Sequence, residues 1–294
     1  MPFGLRFSRQ AWPGWVIRAA RFGRGIGLRL SEPLDYLVRV ANGKRHFPPL
    51  RLRRYVGPLA SFESSGAEFV AYLKLIAGLL PHESLLDIGC GCGLTALSLR
   101  DTLACGGRYL GLDIHEPSIE WCQRSIQRKH AEFEFEWIDV RNITYNPNGK
   151  YPAENYAFPV ADESFDVALL KSVFTHMRPK EVDNYLREVA RVLKPGGRCL
   201  VTFFLFDGSC FQDVAHRQSA LSFQFGDAIW RYEYENSPDT AAAYSEQFVR
   251  DLLAKHRLAL RQLFCGTWRG DRSGLSYQDL VFIEKPRTWN TNDG

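Results

Sequence analysis

Strands and helices alternate along the middle of the chain, and this alternation constrains the fold more than any other feature. The apolar run Ser84–Ile88 predicts a buried strand, and helical spacing follows it over residues 94–103. Further strands are predicted over 108–113, 133–140, 165–170 and 199–204, with helices over 116–129 and 180–193. Strands that alternate with helices form a parallel sheet with helices on both faces, so we expect a doubly wound α/β fold.

Composition and loop lengths divide the chain into parts. Residues 1–62 carry helical pieces broken by proline and glycine, and they predict an N-terminal arm or cap. We expect the main domain over 63–285 and a flexible tail over 286–294. The stretch 206–244 is long and rich in aromatic residues, which favours a substrate lid inserted into the domain over a disordered loop.

The positive charge is concentrated in the first sixty residues. They hold twelve Lys and Arg against Glu32 and Asp35, whereas the remaining 234 residues hold 25 against 31 acids. A nucleic-acid-binding protein usually spreads its basic groups over a folded face, so we expect no nucleic-acid partner. Three interpretations of the basic, aromatic arm stay open: a peripheral membrane contact, an organelle transit peptide, or an arm that closes over the active site and brings Tyr55 to the substrate.

Seven cysteines form an odd count without a CxxC pair, which indicates neither a disulfide framework nor a structural zinc site. No metal site is expected elsewhere. No apolar run approaches the roughly 18 residues that a membrane-spanning helix needs. The sequence therefore predicts a cytoplasmic protein, with membrane association limited to the arm.

A glycine-rich loop follows the first predicted strand. Asp87 is followed by Gly89, Gly91 and Gly93, a G-x-G-x-G spacing that differs from the dinucleotide-binding fingerprint. A carboxylate beside a phosphate is repulsive, but beside a sulfonium or an ammonium group it is favourable. The loop therefore predicts a pocket for a cationic ligand.

Two more acids follow the next two predicted strands. Asp113 could accept hydrogen bonds from both hydroxyls of a ribose, and Asp139 could accept one from an adenine amino group. Each has a structural alternative, since Asp113 could cap the following helix and Asp139 could cap a turn. Three acids at the ends of three successive strands form a more specific signal than the glycine loop alone.

These motifs resemble those of the class I S-adenosylmethionine-dependent methyltransferases, in the branch that acts on small molecules. The resemblance covers residues 68–285 and rests on DIGCGCG (Asp87–Gly93), GLD (Gly111–Asp113), the pair Ile138–Asp139, SFDVALLKSVFTHM (Ser164–Met177) and EVARVLKPGGR (Glu188–Arg198). It implies a Rossmann-like sheet of seven strands with an antiparallel last strand. It also implies S-adenosylmethionine as the cofactor and S-adenosylhomocysteine as the product.

The resemblance assigns roles to individual residues. The acid and glycines of the loop would face the methionine part of the cofactor, Lys171 and Ser172 would lie under that part, and the second and third acids would hold the ribose and adenine. The implied cofactor residues are Asp87, Gly89, Gly91, Gly93, Asp113, Ile114, Asp139, Val140, Lys171 and Ser172.

A hydroxyl acceptor needs a base, and His176 follows the fourth strand of the family on the ligand side. Packing against the following helix is the alternative for His176, and His216 in the lid is the second candidate. The chain lacks the Asn/Asp-Pro-Pro-aromatic turn of enzymes that methylate base amino groups. We expect an O-methyltransferase for a lipophilic or sugar-bearing molecule, such as a glycolipid or secondary metabolite. The candidate substrate residues are Tyr55, Phe206, Phe225, Trp230 and Trp268.

Two alternatives to O-methylation stay open. A carbon or nitrogen methyltransferase of a small molecule would share every cofactor residue, and a non-catalytic protein could bind the cofactor without turnover. Arg269 and Asp279 could bind a polar sugar or could form ion pairs at the surface.

Overall fold

A computed structural model describes residues 31–57, 61–103, 106–207, 221–270 and 273–288. The predictions for residues 1–30 of the arm, for His216 and the middle of the lid, and for residues 289–294 of the tail lie outside the described residues. The chain divides into two compact units, Met1–Ala60 and Ser61–Gly294.

Within its described residues, 31–57, the first unit contains two helices. Helix α1 covers residues 31–41 and α2 covers Leu50–Arg53. One carboxylate links them, since Asp35 accepts hydrogen bonds from Arg39 and from Arg53. The guanidinium of Arg39 also donates to the carbonyl oxygen of Phe47, at 2.7 Å. Buried polar contacts therefore hold this small unit together.

The second unit contains five helices and thirteen strands within its described residues. The helices are α3 (Phe62–Leu75), α4 (Leu94–Leu99), α5 (Glu116–Cys122), α6 (Pro179–Val192) and α7 (Glu246–Lys255). The strands are β1 (Ser84–Ile88), β2 (Arg108–Asp113), β3 (Phe133–Trp137), β4 (Val140–Arg141), β5 (Tyr151–Pro152), β6 (Phe165–Leu170), β7 (Leu193–Phe203), β8 (Leu205–Phe206), β9 (Phe225–Gly226), β10 (Trp230–Tyr232), β11 (Ala242–Ser245), β12 (Ala259–Phe264) and β13 (Asp279–Glu284).

Seven of these strands form the main sheet, in the order β12-β13-β7-β6-β1-β2-β3. The pairs β7-β6, β6-β1, β1-β2 and β2-β3 are parallel, whereas β13 runs antiparallel to both β7 and β12. The predicted doubly wound sheet with an antiparallel last strand is confirmed. The strand order reverses beside β1, which is where open α/β sheets bind ligands.

Helix α6 shows how the sequence produces this packing. The residues of its buried apolar face recur at helical spacing, and the Glu181 side chain accepts a hydrogen bond from the Arg178 amide at the start of the helix. The buried face consists of Val182, Tyr185, Leu186, Val189 and Val192. It belongs to the same apolar cluster as β6 and β7, and it covers one face of the sheet.

Several boundaries differ from the sequence prediction. The helix predicted over 116–129 ends as α5 at Cys122 and gives way to a π-helical turn over Gln123–Gln127. Strand β7 begins at Leu193, earlier than predicted, because Leu193 already pairs with Phe165 before a register shift to the pair Val167 and Arg198.

The segment predicted as a lid contains ordered secondary structure where it is described. Strands β8, β11, β10 and β9 form a second sheet of four strands, in that order. These strands have two to four residues each, too short to show a periodic pattern in the sequence. The sequence predicted a lid over this stretch but not these strands, and the role of the segment as a lid stays a prediction.

Cys265 also differs from expectation, because it is disulfide-bonded. The described cysteines Cys90, Cys92, Cys122 and Cys199 are free and buried. No helix among the described residues is long and apolar enough to cross a bilayer.

A buried ion pair connects the two sheets. Asp279, at the start of β13, has no exposed side-chain surface, and it accepts two hydrogen bonds from the 2% exposed guanidinium of Arg269, at 2.7 and 2.9 Å. The same carboxylate accepts hydrogen bonds from the Gly266 amide, the Leu205 amide and the Trp268 indole. This arrangement is neither the sugar site nor the surface ion pair that the sequence left open.

Asp279→Asn should destabilise the protein by about 3–5 kcal/mol, because it leaves the Arg269 charge buried without a counter-charge. It also turns an amide NH2 toward groups that can only donate. The measurement is the free energy of unfolding in urea. The control is Glu284→Gln, at the other end of β13. It removes the partially exposed ion pair between Glu284 and Arg261 of β12 and should cost less than about 1 kcal/mol. Equal losses in the two variants would contradict the role of Asp279.

Candidate functional site

The loop between β1 and α4 has the backbone conformation that its glycines predict. Gly89, Gly91 and Gly93 have φ values of 78°, 55° and 76°, in the left-handed region. A Cβ atom on Gly89 would lie 2.5 Å from Cγ2 of Val173. Side chains at these positions would therefore strain the backbone, and at Gly89 also collide with the segment that follows β6.

Asp87 lies near the end of β1 and is only 2% exposed. The hydroxyl of Tyr109 donates a hydrogen bond to its carboxylate at 2.6 Å, and Thr95 supplies another. Burial raises the pKa of Asp87 to about 6, although both hydrogen bonds and the positive charge of Lys171 act in the opposite direction. The site therefore holds a carboxylate for which a cationic neighbour is favourable.

Asp113 joins the glycine loop to the second strand. One carboxylate oxygen accepts from the Gly91 amide at 2.6 Å, and the other accepts from the His115 amide at 2.7 Å. Burial raises the pKa of Asp113, and hydrogen bonds from backbone amides, that of Ile114 included, oppose this rise. The N-cap residue of α5 is His115, so Asp113 does not cap this helix; one of its oxygens closes the turn before α5, and the other fixes the loop. Each oxygen can accept a further hydrogen bond.

Asp139 and Val140 make contacts within their own loop. The Asp139 carboxylate accepts from the Asn146 side chain at 3.2 Å and from the Lys150 amide at 3.3 Å. The Val140 amide donates to the Ile138 carbonyl oxygen at 2.9 Å. The turn-capping alternative for Asp139 is therefore realised, and the adenine contact predicted for both residues stays a prediction.

Lys171 follows β6 and reaches helix α3. Its Nζ atom donates to Oγ of Ser65 at 2.6 Å and lies 4.4 Å from the ring centre of Phe69. Burial lowers the pKa of Lys171 to about 8, whereas the charges of Asp87 and Glu68 act to raise it. A partly buried cation and a buried carboxylate therefore flank the start of the glycine loop.

Ser172 belongs to a hydrogen-bonded group that the sequence did not reveal. Its φ of 57° is unusual for a residue with a side chain, and its amide donates to Oγ1 of Thr202 at 2.8 Å. The Thr202 hydroxyl must then donate onward, and Oε1 of Gln278 lies 2.6 Å away. The Ser172 hydroxyl donates to the same Oε1 atom at 2.9 Å.

This network fixes the orientation of the Gln278 side chain. Since Oε1 already accepts two hydrogen bonds, the NH2 group is the part left to face a ligand. Gln278 comes 106 residues after Ser172 in the chain, and no local sequence pattern connects them. It is a candidate site residue that sequence reasoning missed.

His176 lies on a short 3-10 turn after β6, with both ring nitrogens near polar atoms. Nδ1 is 3.2 Å from the carbonyl oxygen of Asp239, which can only accept, so Nδ1 carries the proton. Nε2 is then the acceptor, and the Tyr145 hydroxyl lies 3.4 Å from it. Burial lowers the pKa of His176, although contacts with the Asp239 segment oppose this shift. The imidazole is therefore neutral near pH 7.

The turn that carries His176 is held by the second sheet. Tyr244 in β11 is fully buried, and its hydroxyl lies 3.0 Å from the Phe174 carbonyl oxygen and 2.5 Å from that of Met177. Asp239 belongs to the same segment, a few residues before β11. Both the position and the orientation of the imidazole thus depend on residues 239–244.

The aromatic residues predicted for the substrate lie in different environments. Phe225 stacks on Tyr232 with ring centres 5.8 Å apart, and Trp230 lies 4.8 Å from the same ring. Phe206 is buried, with the guanidinium of Arg231 4.3 Å from its ring centre. Tyr55 belongs to the first unit and is 37% exposed.

Trp268 is largely buried. Its ring is 5% exposed and packs against Phe204 and Phe223, and its indole NH donates to Asp279 at 2.9 Å. The bond to the buried carboxylate holds this side chain in the apolar cluster between the sheets. Contact of Trp268 with a substrate stays a prediction.

The sheet brings the remaining residues to one edge. Asp87 and Asp113 lie at the carboxyl ends of the neighbouring strands β1 and β2, and Asp139 follows β3. Lys171 and Ser172 follow β6 on the other side of β1. Gln278 precedes β13, which reaches the same edge because it runs antiparallel. The edge therefore has an acidic half at β1–β3 and a half at β6, β7 and β13 that carries hydrogen-bond donors.

Comparison with known proteins identifies residues 86–201 as matching a family model described as a methyltransferase domain. Among curated proteins, the phthiotriol/phenolphthiotriol dimycocerosates methyltransferase 1 of Mycobacterium ulcerans is 37% identical over 123 residues, which are 42% of this chain and 38% of that protein. The fatty-acid O-methyltransferase of Mycolicibacterium smegmatis is 34% identical over 118 residues, 40% of this chain and 36% of that protein. The chain thus spans less than two fifths of the length of these relatives.

A solved structure matches more of the chain. The 1,6-didemethyltoxoflavin-N1-methyltransferase of Burkholderia thailandensis, solved with 1,6-didemethyltoxoflavin and S-adenosylhomocysteine, superposes with a TM-score of 0.50 and 17% identity. The match covers 95% of this chain and 93% of that one. At this identity the likeness supports the fold.

Asp87→Asn should stabilise the protein more at pH 7.5 than at pH 5. The folded state raises the pKa of Asp87 to about 6. The protonated carboxyl group therefore favours folding at pH values below its pKa in the unfolded chain, and this contribution to stability is lost as the pH rises through 6. The gain of the variant over the wild type should therefore grow by roughly 1–2 kcal/mol between these pH values. Urea unfolding at both pH values measures it.

The matched control for this experiment is Glu120→Gln, which removes an exposed carboxylate of α5. A pH-independent difference between Asp87→Asn and the wild type would show that the Asp87 carboxyl group does not titrate in the expected range.

Proposed function

Because residues 86–201 form a class I S-adenosylmethionine-dependent methyltransferase domain, we propose that this protein methylates a hydroxyl group of a lipophilic or sugar-bearing small molecule by direct displacement. The observation that carries the proposal is the edge of the sheet, where buried acids lie beside the glycine loop and a neutral imidazole follows β6. The cofactor supplies an activated methyl group on a sulfonium.

The residues at the acidic half, together with Lys171 and Ser172 after β6, fit this cofactor. The Asp87 carboxylate and the Lys171 ammonium offer opposite charges to the ammonium and carboxylate of a methionine moiety. Asp113 keeps acceptor capacity for two ribose hydroxyls after its bonds to Gly91 and His115. Gly89, Gly93, Ile114, Asp139, Val140 and Ser172 complete the proposed cofactor site.

His176 is the proposed general base. The Asp239 carbonyl holds the tautomer in which Nε2 is unprotonated, and the lowered pKa keeps the ring neutral. The contact between Nε2 and the Tyr145 hydroxyl is long, so an acceptor hydroxyl could replace it at low cost. Nε2 would then take the proton of the acceptor hydroxyl. His216 stays the second candidate for this role.

The acceptor is proposed to bind at the other half of the edge. Gln278 offers its NH2 group there to an oxygen of the acceptor, and Phe206, Phe225 and Trp230 supply apolar contact from the lid. The names of two relatives, which denote methyltransferases of phthiotriol dimycocerosates and of fatty acids, support a lipophilic acceptor. The same proposal includes a cytoplasmic location and an N-terminal arm up to residue 62. It also includes a small molecule, and no nucleic acid, as the partner.

Methylation of carbon or nitrogen is the second candidate, supported by the fold shared with an N1-methyltransferase. It would use the same cofactor residues but would not depend on the imidazole. The mass and fragmentation of the product, after incubation with lipophilic alcohols, phenols and amines, distinguish the two. A protein that binds the cofactor without turnover would release no S-adenosylhomocysteine with any acceptor.

Asp113→Ala should weaken the binding of S-adenosylmethionine at least tenfold, because charge-assisted hydrogen bonds contribute about 1.5–3 kcal/mol each. Titration calorimetry measures the affinity, and circular dichroism checks that the variant is folded. The control Glu120→Ala removes an exposed acid from the neighbouring helix and should leave the affinity unchanged. Unchanged affinity in folded Asp113→Ala, or a preference of the wild type for NAD, would contradict the cofactor proposal.

His176→Ala should lower turnover roughly 10²- to 10⁴-fold while the affinity for S-adenosylmethionine stays nearly the same. In the wild type, turnover should rise with pH and level off above an apparent pKa below the usual value of histidine, because only the neutral ring accepts a proton. The release of S-adenosylhomocysteine measures turnover. The control is His82→Ala, since His82 is exposed. Full turnover in folded His176→Ala would move the role of base to His216, which is tested next in the same way, or would favour the carbon or nitrogen alternative.

A further inference from the structure

Helix α1 turns its polar side inward and its apolar side outward. The side chains of Asp35 and Arg39 are only 11% and 10% exposed. In contrast, Leu34, Leu37 and Val38 are 65%, 63% and 51% exposed. A helix on the surface of a water-soluble domain normally has the opposite arrangement.

The inward side cannot be exchanged for the outward one. Arg39 binds Asp35 and donates to the carbonyl oxygens of Arg45 and Phe47, and Asp35 also binds Arg53. Rotation of the helix would break these contacts and leave buried charges without partners. The outward orientation of the leucines is therefore fixed by the polar network.

The exposed residues form one continuous face. Leu34, Leu37 and Val38 have the i, i+3 and i+4 spacing that places side chains on one stripe of a helix. Tyr36 and Val40 extend this stripe on one side, with 41% and 44% exposure. A single exposed leucine needs no explanation, but a contiguous apolar patch indicates a surface that another body covers. We call these five residues the outer face of α1.

The first unit carries an excess of positive charge. The described residues 31–57 contain six Lys and Arg against two acids, a net charge of +4. Both acids pair inside the unit, Asp35 with Arg39 and Arg53, and Glu32 with Arg51. The preceding thirty residues add six arginines and no acid. The partner of the outer face must therefore be apolar and carry negative charge nearby.

We propose that the outer face of α1 docks on a lipid bilayer with anionic head groups. A bilayer interface combines an apolar layer with negative charge directly above it, which matches the leucines and the excess of positive charge. A helix over residues 31–41 is about 16 Å long, too short to cross the roughly 30 Å hydrocarbon layer. It would thus lie in the plane of the interface. This proposal does not depend on the proposed methyl transfer.

Cosedimentation of the full-length protein with vesicles tests the proposal. The vesicles contain 30 mol% phosphatidylglycerol in phosphatidylcholine, or phosphatidylcholine alone. The wild type should bind the anionic vesicles, and more weakly at high salt or without phosphatidylglycerol. Leu37→Asp should lower the partition coefficient at least tenfold, because it removes a leucine side chain that would insert into the bilayer and adds a charge that the head groups repel.

The matched control is Leu75→Asp, which changes another highly exposed leucine, at the end of α3 and 84% exposed. Its partition coefficient should equal that of the wild type. Leu37 and Leu75 both face water, so both variants should keep the wild-type unfolding midpoint. Leu34→Gln is a second variant that tests the outer face.

Three results would overturn the proposal. The first is a wild type that does not bind the anionic vesicles at low salt. The second is vesicle binding that Leu37→Asp and Leu34→Gln leave unchanged, since basic residues rather than the outer face would then mediate it. The third is a dimer in analytical ultracentrifugation that Leu37→Asp dissociates, because a second copy of the chain would then cover the outer face.

Discussion

The carboxylate of Asp113 is the interaction on which the candidate site depends. It accepts hydrogen bonds from the amides of Gly91 and His115, so one side chain fixes both the glycine loop and the start of α5. Both elements are irregular at these points, and neither has a neighbouring strand to complete its hydrogen bonds. The buried carboxylate therefore replaces the backbone partners that a regular sheet would supply.

Charge is distributed unevenly along the edge of the sheet. The half at β1 and β2 holds two buried acids whose pKa values are raised by burial, and the half at β6 begins with a lysine whose pKa is lowered by burial. Burying each of these charges alone costs free energy, and placing an opposite charge beside it offsets that cost. A zwitterionic ligand would satisfy both, which is why the electrostatics of this edge favour an amino acid moiety over a phosphate.

The sequence predicted the features that depend on local order. The periodicity of Ser84–Ile88 and of α6 predicts strand and helix, and parallel strands place Asp87 and Asp113 at one edge without further information. The remaining features arise from contacts between distant positions. Gln278 meets Ser172 across 106 residues, and the Asp239 carbonyl orients His176 across 63 residues. Nothing in the sequence around Trp268 shows that its indole donates a hydrogen bond to the buried carboxylate of Asp279.

The contact of Tyr244 with the turn before α6 ties the second sheet to the position of the proposed base. The segment 239–244 both orients the His176 ring and holds the peptide groups on either side of it. A displacement of β11 would therefore move the proposed base together with the turn that carries it. An acceptor that binds while β11 is displaced would meet an incomplete arrangement of these residues. Selectivity for the acceptor can thus be exerted by induced fit, with no contact between the discriminating part of the acceptor and the imidazole.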